Sequence, residues 1–292
     1  MRSNPLDGRT VAVTGAARGV GAALAREISR RGARLALLGH EKPLLDAVAA
    51  SLPGPALAVE VDVTDPEALA VAVRDVRARL GPASAVVANA GIAEGGPFQD
   101  SPPAAWSRVV DVNLTGSANT ARAFLPDLLD TGGYFLQIAS LASLGAAPMM
   151  SAYCASKAGA EAFAHSLRAE VAHRGVGVGI AYLNWTDTDM IREADLHAVL
   201  RELRVRMPGP ARRVHTAETV AAQVVRGLEQ RRTAVYAPAW LRLVQPVRAA
   251  LPPVVLRVSR RALSRLEAEQ PVEYTGPLGA GGLADRGARS ER

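Results

Sequence analysis

The stretch TVAVTGAARGVGAALAREISRRG, residues 10–32, decides how the chain folds. Residues 10–14 are a short apolar run, residues 15–21 are rich in glycine, and residues 22–32 repeat their apolar positions at helical spacing, so the order is strand, glycine loop, helix. Gly15, Gly19 and Gly21 let the backbone turn tightly and approach a ligand, while a helix that starts there offers free N–H groups and a positive dipole end to a phosphate. Ala17, Arg18 and Val20 lie on the same loop. A glycine triplet alone is a weak signal; between a strand and a helix it marks a dinucleotide site.

Working outward, residues 34–38 (RLALL) predict a second strand ending at Gly39 and His40. In a dinucleotide fold the tip of this strand meets the adenosine ribose, where an acid bonds the 2′-hydroxyl and repels a 2′-phosphate. Gly39 supplies no acid, and Arg18 with His40 or Lys42 can face a 2′-phosphate, so the sequence favours NADP(H) over NAD(H); Glu41, able to swing back onto the ribose, argues the other way. Residues 56–61 predict a third strand, followed by Asp62 and Val63. Asp62 either accepts from the adenine amino group or caps the next helix, as Thr64 or Asp65 also can. That helix is expected over 66–80, stopped by Gly81 and Pro82. A buried strand at 85–88 then leads to Asn89, Ala90 and Gly91, small enough to leave room for a cofactor across the strand tip, although a tight turn uses the same residues.

Residues 101–131 are expected to be helical, broken by Pro126, with Asn113 inside needing partners for both ends of its amide. Strands at 133–139, 176–183 and 233–236, helices at 151–174 and 217–230, and a basic helical flap at about 189–215 complete a strand–helix alternation. Such alternation predicts an α/β fold: a doubly wound parallel sheet of Rossmann type with about seven strands in three α/β/α layers.

The chemistry points to SAYCASK, residues 151–157. Tyr153 and Lys157 stand one helical turn apart on one face. A tyrosine normally keeps its proton to about pH 10, and a positive charge beside it favours the phenolate and brings it toward working pH as an acid or base. The chain has 34 Lys plus Arg, yet lysine occurs only at 42 and 157; a compact ammonium can serve a tyrosine and a sugar hydroxyl together where a planar guanidinium fits poorly. Taken alone, the pair is better read as packing and solvation. Ser140 arrives at the carboxyl end of the fifth long strand, where ligands sit in open parallel sheets.

With 49% hydrophobic and 21% charged residues, 292 residues suit a soluble globule. One cysteine, Cys154, excludes an internal disulfide and suits a reducing interior, and no apolar run is long enough for a signal core or membrane span, so the expected location is cytoplasmic. The net charge of +6 is spread as single arginines on predicted helices, which argues against a nucleic-acid groove. No metal is expected.

TGAARGVG, NAG, DVN, Ser140 and YCASK, in this order, resemble the short-chain dehydrogenase/reductase family over residues 7–237. The resemblance implies a catalytic tetrad of Asn113, Ser140, Tyr153 and Lys157: Tyr153 exchanges a proton with the alcohol or carbonyl oxygen and Ser140 holds that oxygen. Lys157 lowers the tyrosine pKa and binds the nicotinamide ribose, and Asn113 anchors a proton-carrying water chain. It further implies that Asp62 meets the adenine, that Asn89 lines the cofactor, and that Thr188, with Thr186 nearby, contacts the carboxamide or phosphates. Leu183 and Asn184 stand where the family usually has Pro-Gly, which makes Asn184 a polar contact or a turn residue.

The domain expectations are a catalytic domain over 1–237, a basic amphipathic extension over 238–268, and a disordered tail over 269–292. Pro246, Pro252 and Pro253 are expected to prevent a continuous helix in the extension, which reads as a pocket lid, a dimer contact or a membrane-surface segment. The implied function is hydride transfer between NAD(P) and a secondary alcohol or ketone, with Met190, Ile191, Leu196, Leu200, Met207 and Trp240 as apolar pocket walls. Its rivals are a cofactor-binding regulator that lost the chemistry, and an imine reductase or dehydratase of the same fold. By resemblance the assembly expected is a homodimer or homotetramer.

Overall fold

The computed structural model describes residues 4–269 and 271–290. In chain order its elements are β1 (Thr10–Thr14), α1 (Gly19–Ser29), β2 (Arg34–Gly39), α2 (Lys42–Ala50), β3 (Ala56–Glu60), α3 (Pro66–Leu80), β4 (Ala83–Ala88), β5 (Glu94–Gly95), α4 (Pro103–Val110), α5 (Gly116–Thr131), β6 (Tyr134–Ser140), α6 (Ser151–Val171) and β7 (Gly177–Leu183). Then follow α7 (Asp189–Ala194), α8 (Ala198–Val205), α9 (Gly209–Arg212), α10 (Ala217–Glu229), β8 (Ala234–Ala237), α11 (Leu251–Glu269), β9 (Gly276–Pro277) and α12 (Gly279–Ser290).

Seven strands form one parallel sheet in the order β3-β2-β1-β4-β6-β7-β8. Strand order reverses between β1 and β4, and this switch point opens a crevice at the carboxyl ends of the strands. Because both faces of a parallel sheet are covered, its strands are apolar throughout rather than alternating. One face packs on α1 and α10 through residues such as Leu24, Ile28, Val224 and Leu228. The other packs on α3, α5 and α6 through Leu69, Val76, Phe124, Leu128 and Leu167. The sequence-predicted α/β sheet is the fold observed.

Three local expectations are corrected. Pro126 does not break its helix: α5 runs through it, because Pro126 and Arg122, whose carbonyl loses a donor, both lie on the solvent side. No single helix spans the extension, as expected, since 239–250 form only short 3-10 turns, but Pro252 and Pro253 do not break α11: they fall in its first turn, where the missing N–H groups have no intrahelical partner to lose. The tail is not disordered where it is described. Residues 276–277 pair antiparallel with β5, and α12 follows, anchored by the buried side chain of Leu278 and by the Tyr274 hydroxyl donating to Glu94 Oε2 at 2.7 Å. Residues 1–3 of the expected domain, and Gln270, Glu291 and Arg292 of the expected tail, lie outside the described residues. Among the described residues no helix is long and apolar enough to cross a membrane.

Candidate active site

The glycine loop is shaped by its neighbours at the switch point. Gly15 sits at φ +64°, and a Cβ there would lie 2.8 Å from Ala90 Cα; a Cβ on Gly21 would run into the carbonyl oxygen of Gly15. Asn89 fixes this approach from the tip of β4. Its Nδ2 donates to the Thr14 and Gly15 carbonyls at 3.0 and 3.2 Å, while its backbone N–H and that of Ala90 both donate to Thr14 Oγ1 at 3.0 Å. The first turn of α1 has no capping side chain and no acid, so its amides remain available to an anion. A cradle that only glycine can form, beneath an uncapped helix start, fits the pyrophosphate of a dinucleotide.

A cavity of about 750 Å³ extends from this loop to the flap. All the residues predicted from sequence for catalysis or cofactor contact line it except Asp62, Asn113 and Lys42. Asp62 is turned away by its own bonds: it accepts from Thr64 N (2.8 Å), Thr64 Oγ1 (2.7 Å) and Arg108 Nη2 (3.0 Å), and its pKa is lowered by the Thr64 bonds and Arg108 against the cost of burial. The cap of α3 falls instead to Asp65, which accepts from Glu67 N and Ala68 N, both at 2.9 Å. Thr186 is buried, and its hydroxyl donates to the Asn184 carbonyl at 2.9 Å. Thr188 begins α7 directly opposite the glycine loop, its Cγ2 3.1 Å from where a Gly19 Cβ would be.

The three cations expected near a 2′-phosphate are differently engaged. Arg18 forms an ion pair with Glu41, donating from Nε to Oε2 at 2.8 Å, and a second with Asp189 at 3.2 Å. Lys42 pairs along its own helix with Asp46 at 2.5 Å. His40 Nε2 lies 3.4 Å from Asp285 on α12.

At the other end, Ser140 closes β6 and accepts from Ala142 N at 3.2 Å, which fixes its hydroxyl at the strand tip. Ser140 and Tyr153 line the same end of the cavity, and the serine hydroxyl acts on the phenol's pKa. Burial pushes the Tyr153 pKa up, the Ser140 hydroxyl pulls it down, and the neighbouring Cys154 adds a smaller upward push. Lys157 is buried, with its Nζ 5.8 Å from the Tyr153 ring centroid and donating to the Ile138 carbonyl at 3.3 Å. Burial lowers its pKa to about 8. Desolvation is thus the largest influence on both the phenol and the ammonium, and the lowering of the tyrosine pKa by Lys157 stays what the family resemblance implies. Asn113 lies in a π-helical turn (Asp111–Thr115) between α4 and α5. Its amide accepts from Ile92 N at 2.8 Å and donates to Ile92 O at 3.0 Å and Ser156 Oγ at 2.9 Å. Gly91 sits where a Cβ would lie 3.1 Å from Asn113 Oδ1 and 3.4 Å from Lys157 Nζ, so the asparagine and the lysine approach the same point of the β4 tip.

Comparison with known proteins agrees with this geometry: the profile of the short chain dehydrogenase family matches residues 9–198. The chain belongs to the short-chain dehydrogenase/reductase family. Its relatives include a probable oxidoreductase EphD of Mycobacterium tuberculosis, 35% identical over 193 residues, which are 64% of this chain but 33% of that protein. The chain thus spans about one third of the length of these mycobacterial relatives. A short chain dehydrogenase of Pseudocercospora fijiensis is 31% identical over 230 residues, 74% of each chain. Among solved structures, gox2181 superposes with a TM-score of 0.74 at 27% identity, covering 81% of this chain and 97% of its own.

Within this family frame several residues depart from the sequence reading. Leu196 is exposed and does not line the cavity, whereas Met190, Ile191, Leu200, Met207 and Trp240 do. Asn184 proves to be a tie to the flap, its Nδ2 donating to the Ala211 and Arg213 carbonyls at 3.2 and 3.3 Å. Cys154 is a half-buried filler whose pKa burial pushes up. Leu251, Val254, Val255 and Val258 of α11 line the cavity and belong to the extension for which a pocket lid was one of three readings, whereas the tail residues Leu278, Gly279, Gly281, Gly282, Ala284 and Asp285 were not assigned to the site from sequence. A low-complexity run of glycine, alanine and arginine carries no periodic signal, and only Tyr274 and Leu278 stand out as possible anchors.

Proposed function

We propose that the protein interconverts a secondary alcohol and a ketone, using a nicotinamide dinucleotide and Tyr153 as the proton donor and acceptor. The observation that carries this reading is that Ser140, Tyr153 and buried Lys157 line one end of a cavity that begins at the glycine loop, with Lys157 Nζ 5.8 Å from the tyrosine ring centroid. Bound there, the nicotinamide supplies or takes the hydride. Gly15, Gly19 and Gly21 admit the pyrophosphate, Lys157 meets the ribose, and Ser140 fixes the substrate oxygen against the phenol. Burial keeps Tyr153 protonated at neutral pH, which suits the reductive direction, and the Ser140 hydroxyl moderates the cost of forming the phenolate in the oxidative one.

For the cofactor, Glu41 holding Arg18 and Asp46 holding Lys42 remove two of the cations on which the NADP(H) reading rested, so we infer NAD(H). Met190, Ile191, Leu200 and Trp240, with the α11 valines, support an apolar ketone or alcohol, and α11 acts as a wall of the substrate pocket. Turnover of a panel of aryl-alkyl and alicyclic ketones, followed as NADH absorbance, tests the reading. Tyr153→Phe is expected to lower kcat by about 10³-fold with dinucleotide affinity unchanged. Unaltered turnover in that variant overturns the mechanism, and tight dinucleotide binding without turnover of any carbonyl favours the regulator.

A further inference from the structure

The tail crosses the cofactor cleft from end to end. At the substrate end Leu278 is 1% exposed, buried with Ala93, Ala194 and Leu200 in a cluster against which Tyr153 packs. Its backbone N–H donates to the Ala93 carbonyl at 2.8 Å, continuing the β5–β9 pairing, and Gly279 N donates to Glu193 of the flap at 2.9 Å. At the adenosine end Asp285, with a side chain 5% exposed, accepts from Arg108 Nε at 3.0 Å and Nη2 at 2.5 Å and faces His40 Nε2 at 3.4 Å. Arg108 also holds Asp62 and Thr64. The tail carboxylate is thereby joined to the tips of both β2 and β3. The segment lines the cavity with Leu278, Gly279, Gly281, Gly282, Ala284 and Asp285, and at Gly281 it stands against the glycine loop, where a Cβ would lie 3.7 Å from Arg18 Cδ. Small residues at 279, 281, 282 and 284 let this strap cross close over the cleft.

We propose that residues 274–285 form a strap that completes the dinucleotide site, and that Asp285 is a specificity-determining residue that excludes a 2′-phosphate and so selects NAD(H). This rests on the reading of the site as a dinucleotide site. Around the adenosine end stand four carboxylates, Glu41, Asp62, Asp189 and Asp285, against the guanidiniums of Arg18, Arg108 and Arg192, the last shared between Asp189 and Asp187, and the imidazole of His40. A 2′-phosphate brings about two further negative charges into that group and finds each guanidinium already shared between two acids. Without Asp285, half of the Arg108 fork is free to take the phosphate.

The test is the dissociation constants of NADH and NADPH, measured by calorimetry on the full chain, on Asp285→Asn, which keeps the shape of the side chain, and on Leu278→Ser, which loosens the strap at its other end. The wild-type chain is expected to prefer NADH at least tenfold. Asp285→Asn is expected to cut that preference at least tenfold by strengthening NADPH binding, and Leu278→Ser to weaken both dinucleotides at least tenfold. A preference unchanged in Asp285→Asn overturns the selectivity role, and tighter NADH binding in Leu278→Ser overturns the roof, making the strap an obstruction. Thermal melts of each variant separate loss of binding from loss of fold. A wild-type chain that binds neither dinucleotide overturns the proposed function as well, whereas binding of NADH with both variants unchanged overturns the strap alone.

Discussion

The glycine loop and the C-terminal strap face each other across one cavity, yet the first is tied into the strand tips of the buried sheet and the second to short segments and helices around it. Gly15, Thr14 and Asn89 are fixed by neighbouring strand tips of a buried parallel sheet, so the loop can move only if the sheet does. The strap has a two-residue β pairing, one buried leucine, the Tyr274–Glu94 bond and the Arg108–Asp285 pair. Elements held by a few such contacts open at lower free energy than core strands. One wall of the cleft is thus preformed, and the other can open for cofactor exchange.

This contrast is challenged most severely at Gly21. The Gly21→Ala substitution places a methyl group against the Gly15 carbonyl and 2.7 Å from Asn89 Nδ2. Neither neighbour can yield without moving a strand tip, so the expected result is at least 100-fold loss of dinucleotide affinity, about 3 kcal/mol, measured by calorimetry. Retained affinity breaks the claim that this wall is rigid.

A second variant asks what the preformed wall costs in stability. Lys157 is buried with its pKa lowered to about 8, two to three units below the ordinary value, so its charge destabilises the fold by about 3 kcal/mol below pH 8. The sign follows from proton counting: between about pH 8 and 10.5 the unfolded chain holds this proton and the folded chain has released it, so stability rises with pH through that window. Lys157→Met removes the charge and loses the bond to the Ile138 carbonyl, worth about 1 kcal/mol. The variant is expected to be inactive yet about 2 kcal/mol more stable at pH 7, the gain fading toward pH 10; denaturant titration at several pH values measures it. A destabilised variant at pH 7 would show that the ammonium is better satisfied than its surroundings indicate.

Legibility from sequence divides along the same line. The strand tips were readable because a buried strand, a glycine turn and an amphipathic helix are local patterns, and α3 was expected over 66–80 with its stop at Gly81 and Pro82, while its cap, Asp65, stayed open among Asp62, Thr64 and Asp65 until the structure showed it. Tyr153 and Lys157 were legible as a pair because helical spacing fixes their face; the height of the ammonium over the ring was not, since it depends on what lies beneath α6. Arg18 shows the limit within the loop itself. Its position was evident, but its partners Glu41 and Asp189 are 23 and 171 residues away, and that pairing changes the reading of the cofactor. The strap was illegible because its anchors, Tyr274, Leu278 and Asp285, make contacts 180, 185 and 177 residues back along the chain. Pro126, Pro252 and Pro253 misled for the opposite reason: a proline is a strong local signal, but its effect depends on where in the helix it falls and on what its neighbours' carbonyls face.

The smallest expected effect tests whether the extension is a part of the catalytic body or an attachment to it. Arg248, in the turn before α11, donates from Nη1 to Glu161 Oε1 at 2.7 Å and from Nη2 to the Ser143 carbonyl at 2.9 Å. Glu161 lies on α6 two turns beyond Tyr153 and is buried, accepting also from the Tyr182 hydroxyl at 2.7 Å. Ser143 in turn accepts from Ser140 N at 3.2 Å, so the arginine reaches Ser140, which we propose positions the substrate oxygen, through one intermediate. Arg248 is about two fifths exposed, which screens the pair, so Arg248→Ala is expected to cost about 1 kcal/mol, with the Tm about 3 °C lower by calorimetry. Dinucleotide affinity should stay as in the wild type, because none of these bonds touches the glycine loop, while KM for the ketone should rise with the loosened Ser140 turn and the displaced α11 wall. A fall in dinucleotide affinity with KM unmoved would instead couple the extension to the cofactor wall, and the division between a rigid side and a docked side of the cleft would have to be redrawn.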